Sequence, residues 1–307
     1  MSTYLVADIG GTSVKIGFVI DGTPHGYTRV FPTHHVRNSD PVESLARLIA
    51  TATDDAQLTP DMIIATVPGF LDKRAEHVLF AANVPELNDC ALVDELTRAT
   101  HVPVILERDA VMSLMGEYAA GGCIGAASVV GLFFGTGVGA AYLDQGHVFR
   151  GAGWALEIGH MPYSGVRRWL GSDRPECLEA YVSGKVLEQI AREHDVALGD
   201  VFTAAKTNPA LADHVADFVR NQAHAVGSAV AILSPETILL GGGICEMPDF
   251  PKAELVAAIQ SSFPFEQIGQ ALDVRWATLG WQSVLYGAPL VAAGRNFKPT
   301  QHQRRSP

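Results

Sequence analysis

Short apolar runs, closed by glycine, proline or acidic residues, alternate along the chain with stretches whose apolar side chains recur every three or four positions. Residues 4–20 read as two strands on either side of a glycine pair. Val42, Leu45, Ile49 and Ala52 fall at helical spacing. Met62 to Val67 predicts a further strand, closed by Pro68-Gly69. Val102 to Leu106 predicts another, closed by Glu107-Arg108-Asp109. Val111, Leu114, Met115 and Tyr118 then repeat at i, i+3, i+4 and i+7, so a helix starts just after Asp109. Leu211 to Leu233 predicts one long helix, followed by a strand from Thr237 to Leu240 and the triplet Gly241-Gly242-Gly243. This alternation predicts an α/β fold. The polar, basic tail from Phe297 onward is expected to fray.

The loop between the first two strands carries the most information. In Val6-Ala7-Asp8-Ile9-Gly10-Gly11-Thr12-Ser13-Val14-Lys15 an apolar strand ends in an acid, two glycines and a hydroxyl residue. Such a loop is either a plain hairpin turn or a cradle whose bare N–H groups approach a phosphate. The Asp8 carboxylate suits a magnesium ion or its waters, which favours the cradle. The segment Gly131 to Gly139 repeats the plan. At a constant offset of 124 residues, Gly11-Thr12 falls on Gly135-Thr136, Val14 on Val138, Phe18 on Tyr142 and Gly22 on Gly146. That register predicts a duplicated domain with one Gly-Thr hairpin in each half. Two such hairpins facing across a cleft would hold the phosphates of one nucleotide. The glycine-rich dinucleotide fingerprint and the Walker loop are both missing, so this is no P-loop protein.

Bulk properties narrow the partners. The 307 residues suffice for two domains, and 48% hydrophobic with 18% charged residues is an ordinary globular composition. A net charge of −11 argues against a nucleic-acid partner. No apolar run reaches membrane-spanning length and no leader pattern precedes the first strand, so a cytoplasmic protein without a membrane partner is expected. Cys90, Cys123, Cys177 and Cys245 lie far apart and predict free thiols, not a disulfide framework.

Seven motifs in order carry a resemblance. They are Asp8-Ile9-Gly10-Gly11-Thr12, Ala82-Asn83, Arg108-Asp109, Gly135-Thr136-Gly137-Val138-Gly139, Glu157-Ile158-Gly159-His160, Cys177-Leu178-Glu179 and Gly241-Gly242-Gly243. With these motifs, over residues 4 to about 293, the chain resembles the ROK family of sugar kinases. The resemblance implies an actin-like ATPase fold with ribonuclease-H-like domains, in two lobes with the nucleotide and sugar cleft between them. The lobes would span residues 1–120 and 121–285, with a helix near 286–298 packing back on the first.

The implied reaction moves the γ-phosphate of ATP, with Mg2+, to the 6-hydroxyl of a hexose. A hydroxyl is a poor nucleophile, so a base must accept its proton as the bond forms. The resemblance assigns that role to Asp109; from its place at a strand-to-helix junction alone, Asp109 also reads as a helix N-cap. By resemblance, Asn83, Arg108, Asp109, Glu157, His160 and Glu179 form the sugar site. Gly10, Gly11, Thr12, Lys15, Gly135, Thr136, Gly137, Gly241, Gly242 and Gly243 hold the nucleotide, and Asp8 serves magnesium indirectly. The run from Ile238 to Pro251 is most similar to D-allose kinases, so D-allose is the favoured hexose. Glucose, mannose, fructose and N-acetylmannosamine stand behind it, and a non-catalytic sugar-binding protein is the second alternative. A sugar-sensing repressor of the same family would need a helix-turn-helix ahead of the Asp8 strand, for which Tyr4 leaves no room. A homodimer is expected from the resemblance.

Two departures from the family pattern stand out. Arg108 replaces the asparagine usual before the catalytic aspartate; it is larger and always charged. It would point away, pair with Glu107 or reshape the pocket. Leu170 and Ser172 occupy positions where the family's cysteine cluster has cysteines, leaving only His160 and Cys177. Two ligands do not close a tetrahedral zinc site, so no zinc is expected, and packing by Trp169 and Leu170 would stabilise that loop instead.

Overall fold

The structure, a computed structural model, describes residues 2–165, 176–271 and 273–294. The first half runs β1 (Thr3–Ile9), β2 (Ser13–Ile20), β3 (Thr23–Pro32), α1 (Pro41–Ala56), β4 (Met62–Val67), the short pair β5 (Phe70–Leu71) and β6 (Val78–Phe80), α2 (Leu92–Thr100), β7 (Val104–Arg108) and α3 (Asp109–Ala120). The second runs β8 (Ser128–Phe134), β9 (Val138–Asp144), β10 (His147–Val148), α4 (Glu179–Val182), α5 (Gly184–Glu193), α6 (Val201–Ala205), α7 (Pro209–Leu233), β11 (Thr237–Gly241), α8 (Lys252–Ser262), β12 (Asp273–Trp276) and α9 (Ser283–Gly294).

The duplication foreseen from the repeat is visible in the sheets. One has the order β3-β2-β1-β4-β7 and the other β10-β9-β8-β11-β12. In each, the first three strands in sequence are antiparallel neighbours and the last two join in parallel. The matching second hairpins are identical in kind. Asp21-Gly22 has φ of 48° and 81°, and Gln145-Gly146 has 48° and 80°. Positive φ at both central residues gives a two-residue loop whose twist suits the flanking strands. β4 and β11 are buried along their whole length, as parallel strands covered on both faces must be.

Capping sets several boundaries. Asp40 accepts from the Glu43 N–H and Asn208 from the Leu211 N–H, each ahead of a proline at the first helical position, so α7 starts at Pro209, just before the apolar pattern. β7 continues through Glu107 and Arg108, which stay paired with Thr66 and Val67 of β4. Their charge hides this extension in the sequence.

Each sheet buries its outer face against its own helices. Leu5, Ala7 and Ile63 face α1 and α2, while Val130, Leu132 and Leu240 face α5, α7 and α8. Their inner faces share a third core. Val6 and Ile64 from one sheet and Val129 and Leu239 from the other close on Val111, Leu114 and Met115 of α3 and on Val284, Leu285 and Val291 of α9. These two helices cross very closely. A Cβ on Gly116 would lie 1.8 Å from the Ser283 carbonyl oxygen, and one on Gly287 would lie 2.4 Å from that of Met112. Glu117 locks the crossing: its fully buried carboxylate accepts from the backbone N–H groups of Gly122, Thr278 and Leu279 at 2.7, 2.9 and 2.8 Å.

Gly116→Ala is therefore expected to destabilise the protein by about 3 kcal/mol or more, because backbone, not a flexible side chain, blocks the added methyl. Glu117→Ala removes the buried acceptor of three backbone donors and is expected to cost a similar amount. Urea unfolding monitored by circular dichroism checks both; a midpoint unchanged from wild type would show that the crossing relaxes freely.

Candidate functional site

The carboxyl ends of the parallel strands in both sheets open on one cleft, where ligands bind in open α/β sheets. Two adjoining cavities occupy it. The first, of about 230 Å³, is walled by Gly10 and Gly11, Asn83, Asp109, Gly135 to Gly137, Glu157, His160, Glu179 and Gly242, among others. The second, of about 370 Å³, has Asp8, Lys15, Asp109, Gly242, Gly243, Glu246 and Trp281 on its walls. Asp109, Ser113, Phe133 and Gly242 belong to both. The Gly-Thr loops of the two halves thus face one space. Thr12 is exposed beside it, Gly241 is buried within β11, and Arg108 lies behind the wall; none of the three lines either cavity.

At Gly11, Gly137 and Gly242 the loops have no room for a side chain. A Cβ on Gly11 would meet Asn83 Cβ at 2.9 Å, and one on Gly137 would meet Glu179 Oε2 at 2.5 Å. Gly242 has φ of 91°, and a Cβ there would stand 2.4 Å from the Phe134 carbonyl. Bare backbone is what a phosphate-bearing ligand needs for close approach. Asp8, one residue before the end of β1, lies opposite Thr66 of β4, whose hydroxyl donates to Asp8 Oδ1 at 2.8 Å. Burial pushes the Asp8 carboxyl up, opposed by that hydrogen bond and by Lys15. A divalent cation near Asp8 would favour its charged form, so this donor set fits magnesium held through water. Lys15 lines the second cavity, with its ammonium 5.9 Å from the centre of the Trp281 ring.

Asp109 is the first residue of α3; Arg108, in extended conformation, occupies the cap position. Among the described residues Asp109 Oδ1 accepts only from its neighbour Ala110 N–H, at 2.7 Å. Its carboxyl is pushed up to about 7, first by burial and then by the charges of Asp8 and Glu157; the Ala110 hydrogen bond and Arg108 oppose this. A carboxylate poised near neutrality between two cavities suits proton transfer.

Arg108 does not turn away. It is buried, and its Nη1 donates to Glu157 Oε1 at 2.8 Å. Glu107 takes a different partner, accepting from Arg150 Nε and Nη2 at 3.0 and 2.7 Å. Both pairs join β7 to the segment after β10, with opposite polarity. Arg108 Nη2 is buried with no partner among the described residues, a cost of about 1–3 kcal/mol. Burial pushes the Glu157 carboxyl up and Arg108 pulls it down. Across the cavity, Glu179 Oε2 accepts weakly from the Val138 N–H at 3.4 Å. Asn83 Oδ1 accepts from Lys185 Nζ at 3.0 Å, another contact between the halves. The His160 ring packs on Phe70, centroids 5.0 Å apart.

Several cavity residues escaped sequence reasoning. Ser113 follows Asp109 by four positions and so shares its helix face, a signal that was present. Glu246 and Trp281 have no local signal, and neither has Lys185, which holds Asn83 of the cavity wall; only the tertiary packing of the second half brings them here. The positions bearing on zinc, Trp169, Leu170 and Ser172, lie outside the described residues. Cys177 is buried and bridges to Pro162. Among the described residues no cluster of three or more His, Cys, Asp or Glu is arranged to hold a metal, and no helix is long and apolar enough to cross a membrane.

Comparison with known proteins places this geometry in context. Residues 4–295 match the ROK family. A glucokinase of Halalkalibacterium halodurans is 29% identical over 312 aligned residues, covering 90% of this chain and 91% of that protein. The crystal structure of a ROK hexokinase from Thermus thermophilus matches with a TM-score of 0.75 at 27% identity, over 94% of this chain and 97% of that one. A ROK family glucokinase from Streptomyces griseus, solved with glucose and AMPPNP, matches with a TM-score of 0.76 at 24% identity, over 94% and 98%.

The raised pKa of Asp109 has a sign for stability. The folded state disfavours its charge, so its cost grows as pH rises from about 4 and is complete above about 7. Asp109→Asn is accordingly expected to unfold at higher temperature than wild type at pH 8 and at nearly the same temperature at pH 4. Thermal melts at the two pH values check this; an equal gain at both would show that the carboxyl is not perturbed.

Proposed function

The chain belongs to the ROK family, and from that premise we propose that it transfers the γ-phosphate of ATP to the 6-hydroxyl of a hexose. It is a sugar kinase with the actin-like ATPase fold. The observation that carries the detailed reading is Asp109, a carboxylate pushed up to about 7 in the wall shared by the two cavities.

In this reading the sugar occupies the smaller cavity. Asn83, Glu157, His160 and Glu179 meet its hydroxyls in fixed directions, so a wrong epimer leaves a site group unpaired. The nucleotide lies along the larger cavity, with its phosphates against Gly10, Gly11 and Gly135 to Gly137 and its adenosine against Gly242 and Gly243. Magnesium, when bound, would neutralise charge on the β- and γ-phosphates, and Asp8 is placed to hold its waters. Asp109 accepts the hydroxyl proton as the new phosphorus–oxygen bond forms. The lobe contacts Arg108–Glu157, Arg150–Glu107 and Lys185–Asn83 close the cleft around the sugar and exclude water, which limits idle hydrolysis of ATP.

The run Ile238 to Pro251 supports D-allose as the hexose. The glucokinase among the relatives supports D-glucose. These sugars are epimers at one carbon, so kcat/KM on both decides between them.

ADP release measured over a panel of hexoses and amino sugars with magnesium-ATP is expected to show turnover. No turnover on any sugar would favour a non-catalytic sugar-binding protein. Asp109→Asn is expected to lose turnover by at least about a thousandfold while still binding sugar; near-normal turnover would remove Asp109 as the base. Because the base acts ionised, kcat/KM is expected to fall about tenfold per pH unit below about 7. A profile flat down to pH 5 would contradict this.

A further inference from the structure

We propose that Arg108 sets which hydroxyls the sugar site reads, by holding one oxygen of Glu157 so that the other is the carboxylate's open acceptor for the sugar. The inference rests on the sugar-kinase reading above. Glu157 stands in the cavity wall with its side chain 16% exposed, and Arg108, 1% exposed, grips its Oε1 from behind at 2.8 Å. Oε2 accepts no hydrogen bond among the described residues. A carboxylate with both oxygens open takes one hydroxyl on each and so reads two neighbouring positions of a sugar ring. With Oε1 held by a guanidinium, Oε2 is the oxygen left fully open to a sugar hydroxyl.

The grip is built in. Arg108 cannot swing out, because it is buried at the end of β7. Glu107 beside it is fixed by Arg150 from the opposite lobe, and its own Oε1 accepts from the Arg108 N–H at 3.1 Å. The segment bearing Glu157 is bent to meet it. Leu156, immediately before Glu157, has φ of 62°, a strained value for a leucine. Gly153 has φ of 118°, and a Cβ there would lie 2.4 Å from the Asp72 carbonyl oxygen. Stability alone does not account for the pair, since it leaves Arg108 Nη2 buried without a partner among the described residues.

The test uses wild type, Arg108→Met, Arg108→Lys and Glu157→Gln. Each is assayed for kcat and KM on the best hexose and its monodeoxy analogues, and for binding of the same sugars by calorimetry. With Arg108 in place, Glu157→Gln is expected to erase discrimination at one hydroxyl position. Arg108→Met frees Oε1, so an adjacent position should gain about ten- to hundredfold discrimination, in KM and Kd more than in kcat. Arg108→Lys keeps a donor on Oε1 and should retain the wild-type pattern. A uniform loss on all sugars in Arg108→Met, or loss of two adjacent positions in Glu157→Gln, would overturn the inference. If Arg108→Met does not fold, the Glu157→Gln result decides. Sugar binding without ADP release would overturn the kinase reading while the calorimetric series still tests Arg108. No binding of any hexose would overturn both.

Discussion

The molecule depends on one crossing of two helices. α3 leaves the last strand of the first sheet and α9 returns from the last strand of the second, and they pass with backbone in contact at Gly116 and Gly287. Glu117 fixes the geometry by accepting from three backbone donors, two of them in the loop that leads into α9. Because the inner faces of both sheets close on this pair, the crossing sets how the two halves stand relative to each other. α3 also begins with Asp109. The contact that joins the lobes therefore positions the group best suited to take a proton.

The cleft concentrates negative charge. Asp8, Asp109, Glu157 and Glu179 all face it, and a nucleotide would bring more. Such a site works only if some carboxylates are neutralised and one is left to titrate. Thr66 and Lys15 temper Asp8, and Arg108 tempers Glu157. Asp109 accepts, among the described residues, from the Ala110 N–H alone, and burial with the charges of Asp8 and Glu157 pushes its carboxyl up to about 7. Environment, not residue type, separates the roles of chemically equivalent acids.

The same charges tie the lobes. Arg108–Glu157 and Arg150–Glu107 cross the cleft in opposite senses, so an alternative register would set like charges together. Lys185–Asn83 adds a neutral acceptor on another side. All three are contacts between the two halves of the chain, at the edge of the cleft.

Much of this was legible in the chain. The constant offset between Gly11-Thr12 and Gly135-Thr136 announced two sheets of one topology, since hairpin chemistry is local: glycine is demanded wherever backbone must pass within van der Waals reach of a neighbour or take positive φ. The apolar period after Asp109 likewise marked α3. What the sequence by itself determined was the set of elements, the repeat and the residue types gathered at strand ends. Which partner each charge took was decided only by the tertiary structure. Arg108 had Glu107 beside it in sequence, yet β7 extends through both, so their side chains leave opposite faces and Arg108 reaches Glu157 across the cleft. Local rules act over a few residues, whereas an ion pair depends on distance in space, and that distance exists only after the two sheets have closed on α3 and α9.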